Sequence, residues 1–302
     1  MTLFSLAKAH VTRAEALAFR GEPLVEVLKV LRNLSFEDFG LLLISMPNDG
    51  YPNLSGVLPR MAPDEVQVRW TGASGVTLFA QTAAFARIVE IAVSRHSNRT
   101  LKDATILDLG VGYGRNIRSM LYFTDPDNLW GVDPWVHSLE LSKVAGVPAH
   151  LVLSDPMAVD LPVRDTRFDV AISFSVFTHL SPAATTAALR AVRKIIKPDG
   201  VFVCTIRPIE FWHLRSQSFT PEQARQALHD HNSSGYAFLP AEWSDGSYGD
   251  ASINPAFFNR EGWKVVGYET SLCDLYQVAL VLKPDKIESS SEVPPMPERK
   301  LA

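Results

Sequence analysis

An apolar run that breaks into three alternating glycines constrains this chain most. Ile106-Leu107-Asp108-Leu109-Gly110-Val111-Gly112-Tyr113-Gly114-Arg115-Asn116 reads as a buried strand, a tight loop and a helix start. Glycines there allow positive φ and close backbone approach to a ligand. The helix start offers free N–H groups to an anionic group. Three readings stay open for such a loop: a sulfonium cofactor, a dinucleotide, or a structural turn. Dinucleotide loops carry G-x-G-x-x-G. Here the spacing is G-x-G-x-G, with Arg115 where the last glycine would stand. Asp108 lies two residues before Gly110, and a carboxylate there suits a cationic ligand better than a pyrophosphate.

A second carboxylate, Asp133, ends the next apolar run in Trp130-Gly131-Val132-Asp133-Pro134-Trp135. At the end of a second strand it can take both ribose hydroxyls, or cap the following helix. Pro134 and Trp135 would then lie near an adenine, although Trp135 also reads as core filler.

The rest of the chain supplies a frame. Apolar runs at 104–110, 128–133, 149–155, 168–175 and 200–206 alternate with helical patterns such as Leu189, Val192 and Ile196. That alternation predicts a parallel sheet covered on both faces. Two further strand candidates, 263–269 and 274–283, are close enough to pair as an antiparallel hairpin. Before the core, residues 1–100 read as a helical extension or lid. Leu24, Val27, Leu28 and Leu31 share one helix face, as do Phe85, Ile88, Val89 and Ala92. A Pro-, Asn- and Gly-rich stretch from Pro47 to Pro63 predicts an extended connection. The division expected is 1–100, a core over 101–284 with an insert at 207–262, and a disordered tail over 285–302.

Composition excludes some classes. The 29 basic and 33 acidic residues give a net charge of −4 without basic stripes, which argues against a nucleic-acid partner. Two cysteines, Cys204 and Cys273, form no CxxC pair and read as buried small hydrophobes. With no signal-peptide pattern and no uninterrupted apolar run of about 18 residues, a cytoplasmic protein without a membrane span is expected. No metal cluster is expected, since His229 and His231 do not share a helix face.

ILDLGVGYGRN, LWGVDPW, LPVRDTRFDVAISFSVFTHL and IIKPDGVFV, in this order across about residues 104–207, resemble the class I S-adenosylmethionine-dependent methyltransferases. The resemblance implies a Rossmann-like seven-stranded, mostly parallel sheet of order 3-2-1-4-5-7-6, its last strand antiparallel. It implies that Asp108 and Gly110 hold the methionine end of S-adenosylmethionine, with Gly112 and Gly114 shaping the loop. Asp133 would take the ribose. Asp155 and Pro156 would flank the adenine, though the chain between Asp155 and Leu161 is longer than in many members. Ser173 and Phe174 would face the methionine moiety.

The acceptor side is less constrained. Methyl transfer to an alcohol needs a general base or a metal. His179, in Ser175-Val176-Phe177-Thr178-His179-Leu180, is the leading base candidate. Glu210, His213, Asp245 and Asp250 are others. The insert also carries Phe211, Trp212, Tyr236, Trp243 and Tyr248, which suit either a stacking surface or a small lid core. Leu58–Gln67 with Trp70–Gly75, SVFTHLS and SYGDASI resemble bacterial methyltransferases of glycan and O-antigen assembly, which implies a saccharide hydroxyl as acceptor. Thr71 and Gly72 would then close over the cofactor. Alternatives are O- or N-methylation of a small secondary metabolite, a non-catalytic partner subunit, and an NAD-linked oxidoreductase. The N-terminal helices could cover the acceptor or form a homodimer contact.

Overall fold

The computed structural model describes residues 5–270 and 274–285. The expectations for Cys273 and for the tail beyond residue 285 lie outside these. Six helices come first: α1 (Ser5–Phe19), α2 (Leu24–Leu31), α3 (Phe36–Ile44), α4 (Pro52–Val57), α5 (Asp64–Thr71) and α6 (Gly75–His96). The core follows as β1 (Ile106–Leu109), α7 (Arg115–Met120), β2 (Leu129–Asp133), α8 (Val136–Val144), β3 (His150–Leu153), β4 (Phe168–Ser173), α9 (Pro182–Ile195) and β5 (Ile196–Ile206). An insert holds α10 (Phe211–Leu214), α11 (Pro221–Ser234), β6 (Tyr236–Pro240) and β7 (Gly249–Ile253). Strands β8 (Trp263–Glu269) and β9 (Val278–Pro284) close the chain's described part.

Seven strands form one sheet in the order β3-β2-β1-β4-β5-β9-β8. Strands β1 to β5 are parallel, and β9 runs antiparallel to both β5 and β8. The expected 3-2-1-4-5-7-6 order is therefore observed. Side chains alternate between the faces with a period of two. Ile106, Val170, Val201, Val203, Ala279 and Val281 enter one core. Leu107, Ala171, Phe202, Cys204, Leu280 and Leu282 enter the other. Burial on both faces is why these strands read as continuous apolar runs.

The first core also contains Leu28, Leu31, Phe36, Phe39, Phe85 and Val89. The N-terminal helices thus complete one side of the sheet. Among the described residues, α6 is the helix long and apolar enough to cross a membrane by composition, and it is mostly buried against this face. The second core takes Leu189, Val192 and Ile195 from α9. Ser181 caps α9 through Ala184 N–H, with Pro182 at its first position.

Three local expectations change. The 47–63 stretch contains α4, whose first N–H groups, on Asn53 and Leu54, donate to the Glu15 carboxylate at 2.9 and 2.8 Å. A cap supplied from 38 residues upstream leaves no local sequence signal. Strand β5 begins at Ile196 rather than at the apolar run of 200–206, and Lys197-Pro198-Asp199-Gly200 interrupts it as a register shift against β4. The insert holds an unexpected antiparallel pair, β6 with β7.

Candidate functional site

The three loop glycines all take positive φ: +76° at Gly110, +57° at Gly112 and +81° at Gly114. Gly110 and Gly114 also lack room for a side chain. A Cβ on Gly110 would lie 2.3 Å from Val176 Cγ2, and one on Gly114 2.7 Å from Val147 Cγ2. Such contacts make the backbone here a bare cradle.

Asp108 lies beneath that cradle and is fully buried. Neither carboxylate oxygen has a hydrogen-bond donor among the described residues. Burial pushes its pKa well up, opposed by the Arg115 charge and aided by Asp133. A buried carboxylate without a partner is costly, so such groups mark ligand sites. Asp133 is held differently. Its Oδ2 accepts from Gly112 N–H and its Oδ1 from Trp135 N–H, both at 2.9 Å. Burial raises its pKa, and these two backbone donors oppose the rise.

An open cleft of about 450 Å³ runs beside the cradle, lined by Gly110, Pro134, Asp155, Pro156, Val176 and Leu180 among others. Four residues named from sequence thus meet on one wall. Trp135 is 54% exposed at its rim and stacks on Trp70 of α5 at 5.1 Å. It is therefore not core filler. Its partner Trp70 lies 3.8 Å from where a Gly112 Cβ would stand. Trp70 is the residue with which α5 covers the loop.

Other expected positions are engaged elsewhere. The Thr71 hydroxyl donates to Gln67 C=O at 2.7 Å, and Gly72 ends α5 with φ +80°. Both serve the turn, and neither lines the cleft. Ser173 Oγ donates to Leu109 C=O at 2.9 Å inside the sheet, so it ties β4 to β1. Phe174 packs edge-on against Phe85 and carries the Arg115 guanidinium 4.5 Å from its ring centre.

His179 is also placed differently from the base expected. Its Nδ1 lies 2.7 Å from Gly249 C=O, and Nε2 lies 3.2 Å from an Arg207 guanidinium nitrogen. Nδ1–H therefore donates and Nε2 accepts, so both ring nitrogens are occupied. Burial, then Arg207, lowers the pKa to about 4. A ring so held is a weak base with no free lone pair. Arg207 in turn pairs with Asp250 at 2.5 Å.

The insert's aromatics divide by burial. Phe211 and Trp212 form a small core with Ala227 and Ala237, and Trp212 Nε1–H donates to Ser252 Oγ at 2.7 Å. Tyr236 is buried, its hydroxyl 2.7 Å from Leu180 C=O and 2.8 Å from Thr185 Oγ1. Tyr248 and Trp243 reach the surface, 38% and 78% exposed. They form a stair: His179 stacks on Tyr248 at 5.0 Å and 9°, and Tyr248 meets Trp243 at 5.3 Å. The stair joins the cleft wall, because Leu180 bridges to Tyr248.

The sequence reading missed a polar chain across the site's other end. Arg115 donates to Gln81 Oε1 at 2.7 Å, and Gln81 Nε2 donates to Asp274 at 2.7 Å. Gln277 donates to Asp274 at 3.0 Å and to Ser175 at 3.3 Å. A signal existed for Gln81. It is a polar residue at helical spacing between the buried Leu78 and Phe85.

Residues 107–204 match the family model described as "Methyltransferase domain". The matched segment is about a third of the chain and contains the glycine cradle and the unpartnered Asp108. An uncharacterized protein of Methanocaldococcus jannaschii is 32% identical over 126 residues, 41% of this chain and 45% of that protein. The match therefore spans less than half of that relative. Among solved structures, an S-adenosylmethionine-dependent methyltransferase from Clostridium acetobutylicum aligns with a TM-score of 0.48 at 12% identity, covering 73% of this chain and 97% of that one. The CcbJ methyltransferase of Streptomyces caelestis aligns with a TM-score of 0.43 at 15% identity, covering 68% and 89%.

Proposed function

We propose that this chain transfers the methyl group of S-adenosylmethionine to a hydroxyl of a saccharide or glycan precursor. The observation that carries the donor half is the buried, unpartnered Asp108 carboxylate under a three-glycine cradle. It supplies the acceptor that a ligand ammonium requires, and its low-dielectric surroundings strengthen that contact. Asp133 has lone pairs left on both oxygens for ribose hydroxyls. Pro134 and Pro156 offer apolar edges to the adenine, with Asp155 beside them on the same cleft wall. When bound, S-adenosylmethionine supplies an already activated methyl group, so the chain holds and orients rather than activates the donor.

The acceptor half rests on the stair of His179, Tyr248 and Trp243. An exposed tryptophan packed at 38° against a half-exposed tyrosine offers apolar faces with polar edges. Carboxylates of Asp245 and Asp250 lie on the same β6–β7 segment and can accept sugar hydroxyls. In this reading His179 positions the Tyr248 ring, and the insert at 207–262 is the acceptor side. Helices of residues 1–100 act as the cover, with Trp70 as its contact on the cradle.

A methyl-transfer screen with isotopically labelled S-adenosylmethionine against saccharides, phenols and amines tests this. Label on a saccharide oxygen is expected. Transfer only to phenols or amines would replace the acceptor by a small secondary metabolite. Failure of S-adenosylhomocysteine to bind, measured by calorimetry, would overturn the donor half.

A further inference from the structure

The N-terminal helices and the core enclose a second cavity, of about 290 Å³, which shares no lining residue with the cleft beside the cradle. Its wall comes from α3, α6 and α7. Gly40, Leu43 and Phe79 form the apolar side, and Arg115, Arg118 and Ser119 the polar side. Met61, just before α5, completes it.

The two arginines are incompletely used. Arg118 is only 2% exposed. Its Nη2 donates to Leu43 C=O at 3.0 Å and to Pro59 C=O at 3.1 Å, which ties α3 and the chain before α5 to the core. Its Nε–H has no acceptor among the described residues. Its Nη1 meets the thioether of Met61, a weak acceptor. Arg115, one turn earlier on α7, donates to Gln81 Oε1 at 2.7 Å. Asp108 and Asp274 act on Arg115 from a distance, without an ion pair among the described residues. Tyr113 lies in the field of both arginines, but burial raises its pKa and keeps it neutral, so it supplies no counter-charge. Burial lowers the pKa of Arg118 to about 9, which leaves it charged at neutral pH. Two like charges thus share one buried wall. Buried charge without a counter-charge is costly, and guanidinium donors match the oxygens of carboxylates and phosphates.

We infer that this cavity binds a small oxyanion, a carboxylate or inorganic phosphate, between Arg115 and the Nε and Nη1 donors of Arg118, displacing the Met61 thioether. The ion neutralises the wall and fastens the N-terminal helices to the core through Arg118. This site is separate from the methyl-transfer site, and the inference does not rest on the proposed function.

Thermal unfolding at constant ionic strength tests this with three probes: inorganic phosphate, acetate and chloride. Phosphate or acetate should raise Tm saturably at low concentration, where general salting effects are small. At 10 to 100 times the dissociation constant the rise should be roughly 3–10 °C. Whichever of the two acts identifies the source of the oxyanion. Saturating S-adenosylhomocysteine should leave the rise in place. Ser119→Leu fills the cavity while keeping both arginines, and should abolish the rise. Met61→Ala removes the competing thioether and should lower the midpoint concentration. Arg118→Met should abolish the rise as well, but it also loses two carbonyl contacts, so Ser119→Leu, shown by circular dichroism to be folded, decides. A rise no larger than that with chloride, one removed by S-adenosylhomocysteine, or one undiminished in folded Ser119→Leu would overturn the inference. If Ser119→Leu does not fold, an unchanged midpoint in Met61→Ala overturns it instead.

Discussion

Asp108→Asn is expected to act in opposite directions on the empty and the ligand-bound protein. The folded-state pKa of Asp108 is raised by burial, because no donor stabilises the charged form. An acid with a raised folded pKa contributes its stability below its unfolded pKa, near 3.9, and loses it as pH rises through the folded value. Within that window each pH unit removes up to about 1.4 kcal/mol from the ligand-free wild type. Asparagine has nearly the same shape and does not titrate, so the variant lacks this loss. At pH 8 its Tm should exceed that of the wild type by about 2–4 °C per kcal/mol relieved, and the gap should shrink toward pH 4. Ligand binding should move the other way. Losing one charge-assisted contact worth about 1.5–3 kcal/mol weakens S-adenosylhomocysteine by roughly 10- to 150-fold. Thermal scans at several pH values with and without S-adenosylhomocysteine make the comparison. A variant that is less stable when empty at pH 8, or that binds within threefold of wild type, would refute this account of Asp108.

Gly110→Ala forces a Cβ to within 2.3 Å of Val176 Cγ2 at φ +76°, and strain plus overpacking should cost about 2–5 kcal/mol in urea unfolding. Adding Val176→Ala should restore the overpacking share only. His179 has a folded pKa near 4 against an ordinary 6.5, so its contribution to stability is complete above pH 6.5 and falls as pH drops toward 4; His179→Gln should remove that acid-side decline. The same variant should lower kcat by less than about tenfold, whereas loss of a general base costs about 10²–10⁴-fold. Trp243→Ala should leave urea stability within about 0.5 kcal/mol, yet raise KM for a saccharide acceptor roughly tenfold at steady kcat.

What the sequence made legible was local or periodic. The glycine loop, Asp108 and Asp133 stand beside the turns they serve, and the apolar runs mark strands buried on both faces. What it hid depends on distant partners. The basicity of His179 is lowered by its burial and then by Arg207, 28 residues away, and partly restored by Gly249, 70 residues away. Gln81 meets Asp274 across 193 residues, so neither could be tied to Arg115 from spacing. Strands β6 and β7 are separated by a polar, turn-rich loop, and the aromatics of their region masked the alternation. The hydroxyls of Ser173 and Thr71, expected from the sequence to lie at the cofactor, serve carbonyls nearby. Strand-end residues face either the crevice or the sheet, and one residue of register separates the two.

The insert keeps a core of its own, built from Phe211, Trp212, Ala227 and Ala237. It is also built into the sheet's second core, to which it lends Tyr236, Ala251, Ile253, Phe257 and Phe258. Exchange of the insert therefore leaves its host packed only when those five side chains are kept. On the proposed reading, cofactor capture and acceptor choice are then separable properties: grafting a different 207–262 segment that keeps those five positions should redirect the methyl group while leaving donor affinity where it was.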